Sequence, residues 1–151
     1  MQSDSILPKI NPATEKPFDV QLDDEKLSKE LDPLSFDVLR KAGTEVAFTG
    51  KYYEEETIGV YNCKACGAEL FKSETKFHSG CGWPSFYAPT EADAVILLED
   101  RSLAPRIRTE VRCANCGSHL GHVFEGEGYA VPTDQRWCIN SVALVLKPRN
   151  S

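Results

Sequence analysis

Two matching cysteine motifs constrain the fold of this chain more than any other feature. They are C-x-x-C-G motifs at residues 63–67 and 113–117, and 46 residues separate Cys66 from Cys113. In each motif the glycine lets the backbone turn tightly around the two sulfurs. Four thiolates in a tetrahedron suit Zn²⁺ and leave no open coordination position. The motifs therefore predict one structural zinc held by four ligands: Cys63, Cys66, Cys113 and Cys116.

The same spacing permits two other interpretations, a pair of redox dithiols or a rubredoxin-like iron site. Nothing else in the sequence indicates electron transfer, so zinc is the favoured prediction. The metal would join two hairpins that are far apart in the chain. Its binding energy would offset the entropy of closing so long a loop.

Composition narrows the class of protein. The chain has 151 residues, 41% hydrophobic and 26% charged, with a net charge of −6. An acidic balance argues against nucleic acid as a partner. No segment approaches the roughly 18 apolar residues of a membrane span, and residues 1–20 have no apolar core of a signal peptide. We therefore expect no membrane partner and a cytoplasmic location, where the six cysteines act as metal ligands or redox groups.

The N-terminal third predicts an arm and a helical cap. Residues 1–21 are polar and rich in proline, which indicates an extended or disordered arm. Residues 22–31 favour a short helix opened by Asp23 or Asp24. A second helix is expected from Asp32 as N-cap and Pro33 at the first position, with Gly43 as the C′ residue. Its apolar stripe comprises Leu34, Val38, Leu39 and Ala42.

From Thr44 onward the sequence predicts short strands separated by glycine. Residues 58–61, 69–71, 95–98, 106–112, 122–124 and 138–147 are the strand candidates. In 106–112 strict alternation predicts Ile107, Thr109 and Val111 on one buried face. The expected fold is mainly β, two twisted antiparallel sheets with short N-terminal helices and a four-cysteine zinc clip. A helical cap (22–43) and a β core (44–147) would form one domain, followed by a tail at 148–151.

Arg136, Cys138 and Asn140 form the first candidate reactive cluster. They alternate along a predicted strand, so their side chains would share one face. A guanidinium beside a thiol favours the reactive thiolate, and Asn140 offers an uncharged donor and acceptor. The alternative is that Cys138 is a small buried apolar residue, as most free cysteines are.

Cys81 is the remaining cysteine outside the zinc motifs. Gly80 and Gly82 flank it, and Trp83 follows with a rigid aromatic side chain before Pro84. A loop thiol and a strand thiol near arginine are compatible with a resolving and an attacking pair. The spacing alone equally allows two unrelated cysteines.

Taken together, these motifs closely resemble the B-type methionine-R-sulfoxide reductases over about residues 34–146. The resemblance rests on both C-x-x-C-G motifs and on three longer segments, SGCGWPSF at 79–86, HLGHVF at 119–124 and RWCINS at 136–141. It implies a mainly β fold, a structural zinc, and thiol-dependent reduction of the R epimer of methionine sulfoxide, free or in proteins, to methionine. Each epimer has its own enzyme.

The resemblance also implies a role for each matching residue. Cys138 matches the attacking cysteine, which becomes a sulfenic acid, and Cys81 matches the resolving cysteine, which forms a disulfide with it. Thioredoxin is the expected reductant of that disulfide. Six residues match positions that line the pocket of the family: Trp83, His119, His122, Phe124, Arg136 and Asn140. Of these, the two histidines, Arg136 and Asn140 are expected to have catalytic roles. Trp83 and Phe124 would form the apolar wall for the S-methyl group, and either histidine could protonate the oxygen.

The sequence departs from the family pattern in two places. Trp137 stands where many members have tyrosine or histidine, and 125–128 (EGEG) stands where many bacterial members have a Pro-Asp-Gly-Pro turn. The second departure leaves open which acid, if any, lies over the sulfoxide oxygen. Two other classes of function compete with the reductase: a zinc-stabilised binding module in which Cys81 and Cys138 are inert, and a peroxide-sensing thiol switch.

Overall fold

The fold is that of a mainly β protein with two short helices before the β core, as predicted. The computed structural model describes residues 10–12 and 14–149. The parts of the predicted arm and tail at 1–9, 13 and 150–151 lie outside the described residues. The helices are α1 (Asp24–Glu30) and α2 (Pro33–Lys41). The strands are β1 (Ile10–Asn11), β2 (Lys16–Pro17), β3 (Gly59–Cys63), β4 (Glu69–Lys72), β5 (Lys76–Phe77), β6 (Ser85–Phe86), β7 (Val95–Leu103), β8 (Arg106–Cys113), β9 (His119–Glu125), β10 (Gln135–Ile139) and β11 (Leu144–Pro148).

The strands of the described residues form three antiparallel sheets. Two are large: a six-stranded sheet in the order β5-β6-β10-β9-β8-β7 and a three-stranded sheet in the order β11-β3-β4. The third is the small pair β1-β2 within the predicted arm. The arm also contacts the rest of the chain, because Phe18 is buried and the N–H of Val20 donates to the carbonyl of Asn115. The division into arm, domain and tail stays a prediction.

Aromatic side chains fill the core between the two large sheets. Phe71 of β4 stacks on Phe86 of β6 with ring centroids 4.6 Å apart, and Tyr61 of β3 meets Phe86 edge-on at 5.2 Å. All three side chains are fully buried. Burial of this much apolar surface is the main stabilising contribution available to such a fold.

The capping residues of both helices are those predicted. Asp23 accepts hydrogen bonds from the first turn of α1, and Asp32 accepts from the N–H of Ser35 at 3.0 Å. Two details of the prediction for α2 were wrong. Leu34 is exposed, because the buried side of α2 is formed by Phe36, Val38 and Leu39. The left-handed residue that ends the helix is Ala42, with φ 56°, and not Gly43.

Two strand predictions need correction. Residues 138–147 do not form one strand: a 3₁₀ turn at Ser141–Ala143 separates β10 in the six-stranded sheet from β11 in the three-stranded sheet. In β8, Ile107 is exposed because it lies at the outer end of the β7–β8 hairpin, whereas Glu110, on the face predicted to be polar and exposed, is buried. The chain crosses between sheets at Asn140, two residues after Cys138.

No helix within residues 10–12 and 14–149 has the length and apolar character needed to cross a membrane.

Candidate active site

Cys138 and Cys81 lie side by side at one face of the six-stranded sheet. Cys138 is in β10, paired with His122 of β9 on one side and Ser85 of β6 on the other. Cys81 is in the loop between β5 and β6, and its sulfur lies 3.6 Å from that of Cys138. This is non-bonded contact, since a disulfide bond is about 2.05 Å long. The fold therefore brings together the two cysteines that the zinc motifs leave over.

The charge balance of this pair differs from the sequence-based expectation. The hydrogen bond from Cys138, together with the hydroxyls of Ser79 and Ser85, lowers the pKa of Cys81 to about 4. The same contact and burial raise the pKa of Cys138. Arg136 acts to lower the Cys138 pKa, as expected, but its effect is smaller. The contact between the two thiols thus lowers the pKa of Cys81 and not that of Cys138.

A cavity of about 270 Å³ opens over the two sulfurs. Five of the predicted pocket residues line it with the cysteines: Trp83, His122, Phe124, Arg136 and Asn140. His119 does not line it. The lining combines two aromatic side chains with polar and charged ones, which is the composition expected of a site that holds a small amphipathic group.

Each of the two aromatic side chains that line the cavity contacts a polar group. The indole Nε1 of Trp83 donates to the carbonyl of Glu45 at 3.1 Å. The guanidinium carbon of Arg136 lies 4.4 Å from the ring centroid of Phe124, a cation–π contact. Both aromatic side chains therefore have one preferred position at the cavity.

The two histidines have separate carboxylate partners. His122 Nε2 donates to Asp100 at 2.7 Å. His119 Nδ1 donates to Glu110 at 2.6 Å, and His119 Nε2 is buried without a partner among the described residues. The rings lie 5.6 Å apart, with His122 at the cavity and His119 behind it. Burial, partly opposed by Asp100, lowers the pKa of His122.

Arg136 and Asn140 are both held by other parts of the chain. The guanidinium of Arg136 makes two hydrogen bonds to the carboxylate of Glu127, at 2.8 and 3.1 Å. These bonds lower the pKa of Glu127. Asn140 Oδ1 accepts from the N–H of Glu45, and its Nδ2 donates to the carbonyl of Leu120, each at 2.9 Å. Asn140 thus connects the segment that carries Glu45 to β9.

The four remaining cysteines form one compact cluster away from the cavity. The sulfurs of Cys63, Cys66, Cys113 and Cys116 all lie within 4.8 Å of one another. The contacts Cys63–Cys116 and Cys66–Cys113 measure 3.8 and 3.6 Å. A tetrahedron with metal–sulfur bonds of about 2.3 Å places sulfurs about 3.8 Å apart, so the cluster fits a Zn²⁺-sized ion.

The two halves of the cluster have the same backbone geometry. In each half the glycine N–H donates to the carbonyl of the first cysteine at 2.8 Å, Gly67 to Cys63 and Gly117 to Cys113. Both glycines have φ above +75°, a conformation that side chains disfavour. Asn115 Nδ2 also lies 3.3 Å from the sulfur of Cys66. These bonds hold the four sulfurs in place as a metal site.

Comparison with known proteins decides the family. A model of the SelR domain matches residues 31–148. A peptide methionine sulfoxide reductase MsrB of Leifsonia xyli subsp. xyli is 54% identical over 133 residues, covering 88% of this chain and 94% of that protein. The corresponding proteins of Pseudomonas savastanoi pv. phaseolicola and Burkholderia cenocepacia are 55% and 47% identical, covering 83% and 89% of this chain and 93% of each relative.

The chain belongs to the SelR domain family. The predicted resemblance to the B-type methionine sulfoxide reductases is confirmed, and so is the prediction of an oxidoreductase of this family.

The structure shows where Trp137, the first departure from the family pattern, lies. Trp137 alternates with Cys138 on β10, so it points to the opposite face of the sheet. There it is buried, and its ring lies 6.2 Å from that of Phe71 in the core. The indole at this position therefore packs between the sheets and does not line the cavity.

Four residues that line the cavity were not predicted as pocket residues from the sequence: Thr44, Arg106, Arg108 and Gly121. Asp100 and Glu110, the partners of the two histidines, were also missed. Only the pairing of β7, β8 and β9 brings these two acids next to the histidines. Gly121 had a usable signal, because it lies between His119 and His122 in the HLGHVF motif. A Cβ there would collide with the carbonyl of Cys138.

Proposed function

We propose that this SelR protein reduces methionine-R-sulfoxide, free or in oxidised proteins, to methionine. The observation that carries the proposal is the pair of sulfurs, 3.6 Å apart, at a cavity that is also lined by Trp83, Phe124 and His122. A sulfoxide needs a nucleophile at sulfur and a proton at oxygen, because oxygen is a poor leaving group. The cavity offers both groups to the same bound atom pair.

Cys138 is the attacking residue in this proposal, and Cys81 assists it. The sulfur of Cys138 forms a bond to the sulfoxide sulfur, and its proton passes to the neighbouring sulfur of Cys81. Cys81 can accept that proton because its lowered pKa leaves it as a thiolate before the reaction. The oxygen, protonated by the protein, then moves from the substrate sulfur to the sulfur of Cys138 as the new S–S bond breaks. Methionine leaves, and Cys138 becomes a sulfenic acid. Cys81 then bonds to Cys138 sulfur, and the oxygen departs as water.

His122 is the proton donor that the geometry favours. It lines the cavity, whereas His119 lies behind it. Glu127 is a poor candidate for the acid, because its two hydrogen bonds to Arg136 keep it ionised. Asn140 is better described as a positioning residue, since its amide is bonded to the backbone on both sides.

We infer the preference for the R epimer from the aromatic and polar side chains that line the cavity. The S-methyl group would lie against Trp83 and Phe124, with the oxygen toward His122. Exchanging methyl and oxygen would place the oxygen, unbonded, on the aromatic side.

The remaining dithiol chemistry requires a reductant. An external dithiol would cleave the Cys81–Cys138 disulfide by exchange, and we propose cytoplasmic thioredoxin for this role. The four-cysteine cluster would hold one Zn²⁺ as a structural ion, through Cys63, Cys66, Cys113 and Cys116. With four protein ligands it supplies no chemistry to the reaction.

The test is an assay with the separated R and S epimers of a methionine sulfoxide peptide and dithiothreitol. Conversion of the R epimer alone is the expected result, with Cys138→Ser as the inactive control. Conversion of neither epimer would favour an inert binding module or a peroxide-sensing switch. Equal conversion of both would contradict the placement of the methyl group against Trp83 and Phe124 and of the oxygen toward His122.

A further inference from the structure

The carboxylate of Asp100 lies between a histidine and an arginine. Its Oδ2 accepts from His122 Nε2 at 2.7 Å and from Arg108 Nη2 at 3.0 Å, and its Oδ1 accepts from the N–H of Ser102 at 2.9 Å. The Asp100 and Arg108 side chains are 15% and 23% exposed, and that of His122 is 12% exposed. Three neighbouring strands, β7, β8 and β9, supply Asp100, Arg108 and His122. The contact therefore depends on the register of the sheet.

We propose that Asp100 and Arg108 are positioning residues with opposite effects on His122. Asp100 holds the imidazole with Nδ1 toward the cavity, and Arg108 limits how firmly the imidazole keeps its proton. The inference rests on the proposed function, in which His122 donates the proton to the sulfoxide oxygen.

The orientation follows from the use of the two ring nitrogens. Asp100 occupies Nε2, and Nδ1 has no hydrogen-bond partner among the described residues. A carboxylate acceptor keeps the proton on Nε2 in the neutral ring. The proton that leaves and returns is then the one on Nδ1, the nitrogen available to a bound ligand.

The charge effect follows from the two partners of the carboxylate. A buried carboxylate alone would stabilise the imidazolium and raise its pKa. Arg108 shares the same oxygen and offsets that charge. Burial is the largest cause of the lowered His122 pKa, and Arg108 and His119 lower it further against the effect of Asp100. Asp100 itself stays ionised, because bonds from Ser102 and His122 outweigh the effect of burial and hold its pKa well below its usual range.

Two other charged groups near His122 make hydrogen bonds to other residues. Glu110 is the register partner of His122, but its carboxylate bonds His119 and Arg112. Arg136 bonds Glu127. Among the described residues, the titratable or charged groups that line the cavity with His122 or lie next to it in the sheet are Arg106 and Glu110 on β8, His119 on β9, Cys138 and Arg136 on β10, and Cys81 in the loop before β6.

The experiment is an NMR titration of the histidine rings in the reduced, zinc-bound full-length protein. Asp100→Asn should lower the pKa of His122, and Arg108→Met should raise it, each by about one pH unit. A merely structural role would move both in the same direction. Single-turnover rates on the R-sulfoxide peptide should shift their pH midpoints in the same opposed sense, and Asp100→Glu should restore part of the rate lost in Asp100→Asn.

Arg101→Met is the matched control. Arg101 lies on the same β7–β8 hairpin, is 65% exposed and pairs with Glu99 at 3.0 Å. Its loss removes the same charge without touching the cavity, so the His122 pKa should stay constant. If Arg108→Met does not fold, as judged by zinc content and circular dichroism, Arg108→Gln replaces it.

The outcomes separate this inference from the proposed function. Shifts of the His122 pKa in one direction for both variants, or no shift in either, overturn the inference. If the two variants show the opposed shifts but the wild-type protein reduces no sulfoxide, the proposed function is overturned, while the arrangement of Asp100, Arg108 and His122 stands.

Discussion

At the scale of single residues, Cys138 and Cys81 differ in how the chain holds them. Cys138 lies in β10 with a strand on each side, so its sulfur has a fixed position. Cys81 belongs to the loop between β5 and β6, and the hydroxyls of Ser79 and Ser85 assist in lowering its pKa. A fixed attacking sulfur beside a loop sulfur fits the proposed order of the two steps.

Cys138→Ser should abolish sulfoxide reduction with any reductant, because no nucleophile remains. Cys81→Ser should still release close to one methionine per protein in a single turnover without reductant. It should fail mainly with thioredoxin, since no disulfide can form. Quantifying methionine after a single turnover, with each variant, measures both effects. Equal loss of the first turnover in the two variants would contradict the assignment of Cys138 as sole nucleophile.

Trp83→Ala should lower kcat/KM for the R epimer by about 10- to 200-fold and weaken discrimination against the S epimer, because placement of one methyl group is worth about 1–3 kcal/mol. Trp83→Phe is the control, since it keeps an aromatic side at the cavity and loses only the bond to the carbonyl of Glu45. Steady-state kinetics on both epimers provide the measurement. A flat result for Trp83→Ala would place the methyl group elsewhere in the cavity.

At the scale of elements, the segment after β10 connects several parts of the chain that line the cavity. Asn140 is the first residue of the crossing between sheets, and its side chain holds the backbone of Glu45 and Leu120. Glu45 in turn accepts from the indole of Trp83. The end of β10 is thus connected to Trp83 through two hydrogen bonds.

The end of α2 offers a prediction about stability. Ala42 has φ 56°, a left-handed conformation that is unfavourable for any residue with a Cβ. Ala42→Gly should therefore raise the free energy of unfolding by about 0.5–1 kcal/mol, after allowing for the extra freedom of glycine in the unfolded chain. Urea denaturation of the zinc-bound protein measures it. Lys41→Gly, one residue earlier and inside α2, should have the opposite sign. Destabilisation by both substitutions would show that Ala42 is not strained.

At the scale of the whole molecule, the cysteine cluster joins the two large sheets. Cys63 ends β3 of the three-stranded sheet, and Cys113 ends β8 of the six-stranded sheet. Cys66 and Cys116 lie in the turns that follow these strands. The aromatic core lies between the same two sheets, so the metal site and the core stabilise one interface. Cys138 lies in the six-stranded sheet, and Cys81 lies in the loop before its strand β6.

Cys63→Ser should lose bound metal and cooperative unfolding together, because the binding energy of a structural metal is folding energy. Wild-type protein should contain about one zinc per chain. Metal analysis and thermal melting of the same samples provide the measurement. Cys81→Ser is the control, since it removes a cysteine outside the cluster and should keep both metal and melting temperature. A metal-free preparation with an unchanged melting curve would show that the cluster is not a structural metal site.

The sequence alone determined the features that depend on residues close together in the chain. Each C-x-x-C-G motif closes its own turn, and Asp32 caps the helix that begins at Pro33, so both could be predicted. The HLGHVF and RWCINS segments identified His122, Phe124, Arg136 and Cys138 before any contact was known. These are local patterns, and local sterics and hydrogen bonding specify them.

Only the tertiary structure decided the contacts that depend on strand order and register. The partner of His122 is Asp100, 22 residues earlier, and the partner of Arg136 is Glu127 across a turn. The alternation of β8 predicted Glu110 to be exposed, but pairing with β9 buries it against His119. Alternation along one strand fixes which side chains share a face, but it does not determine which strand lies beside it or in what register.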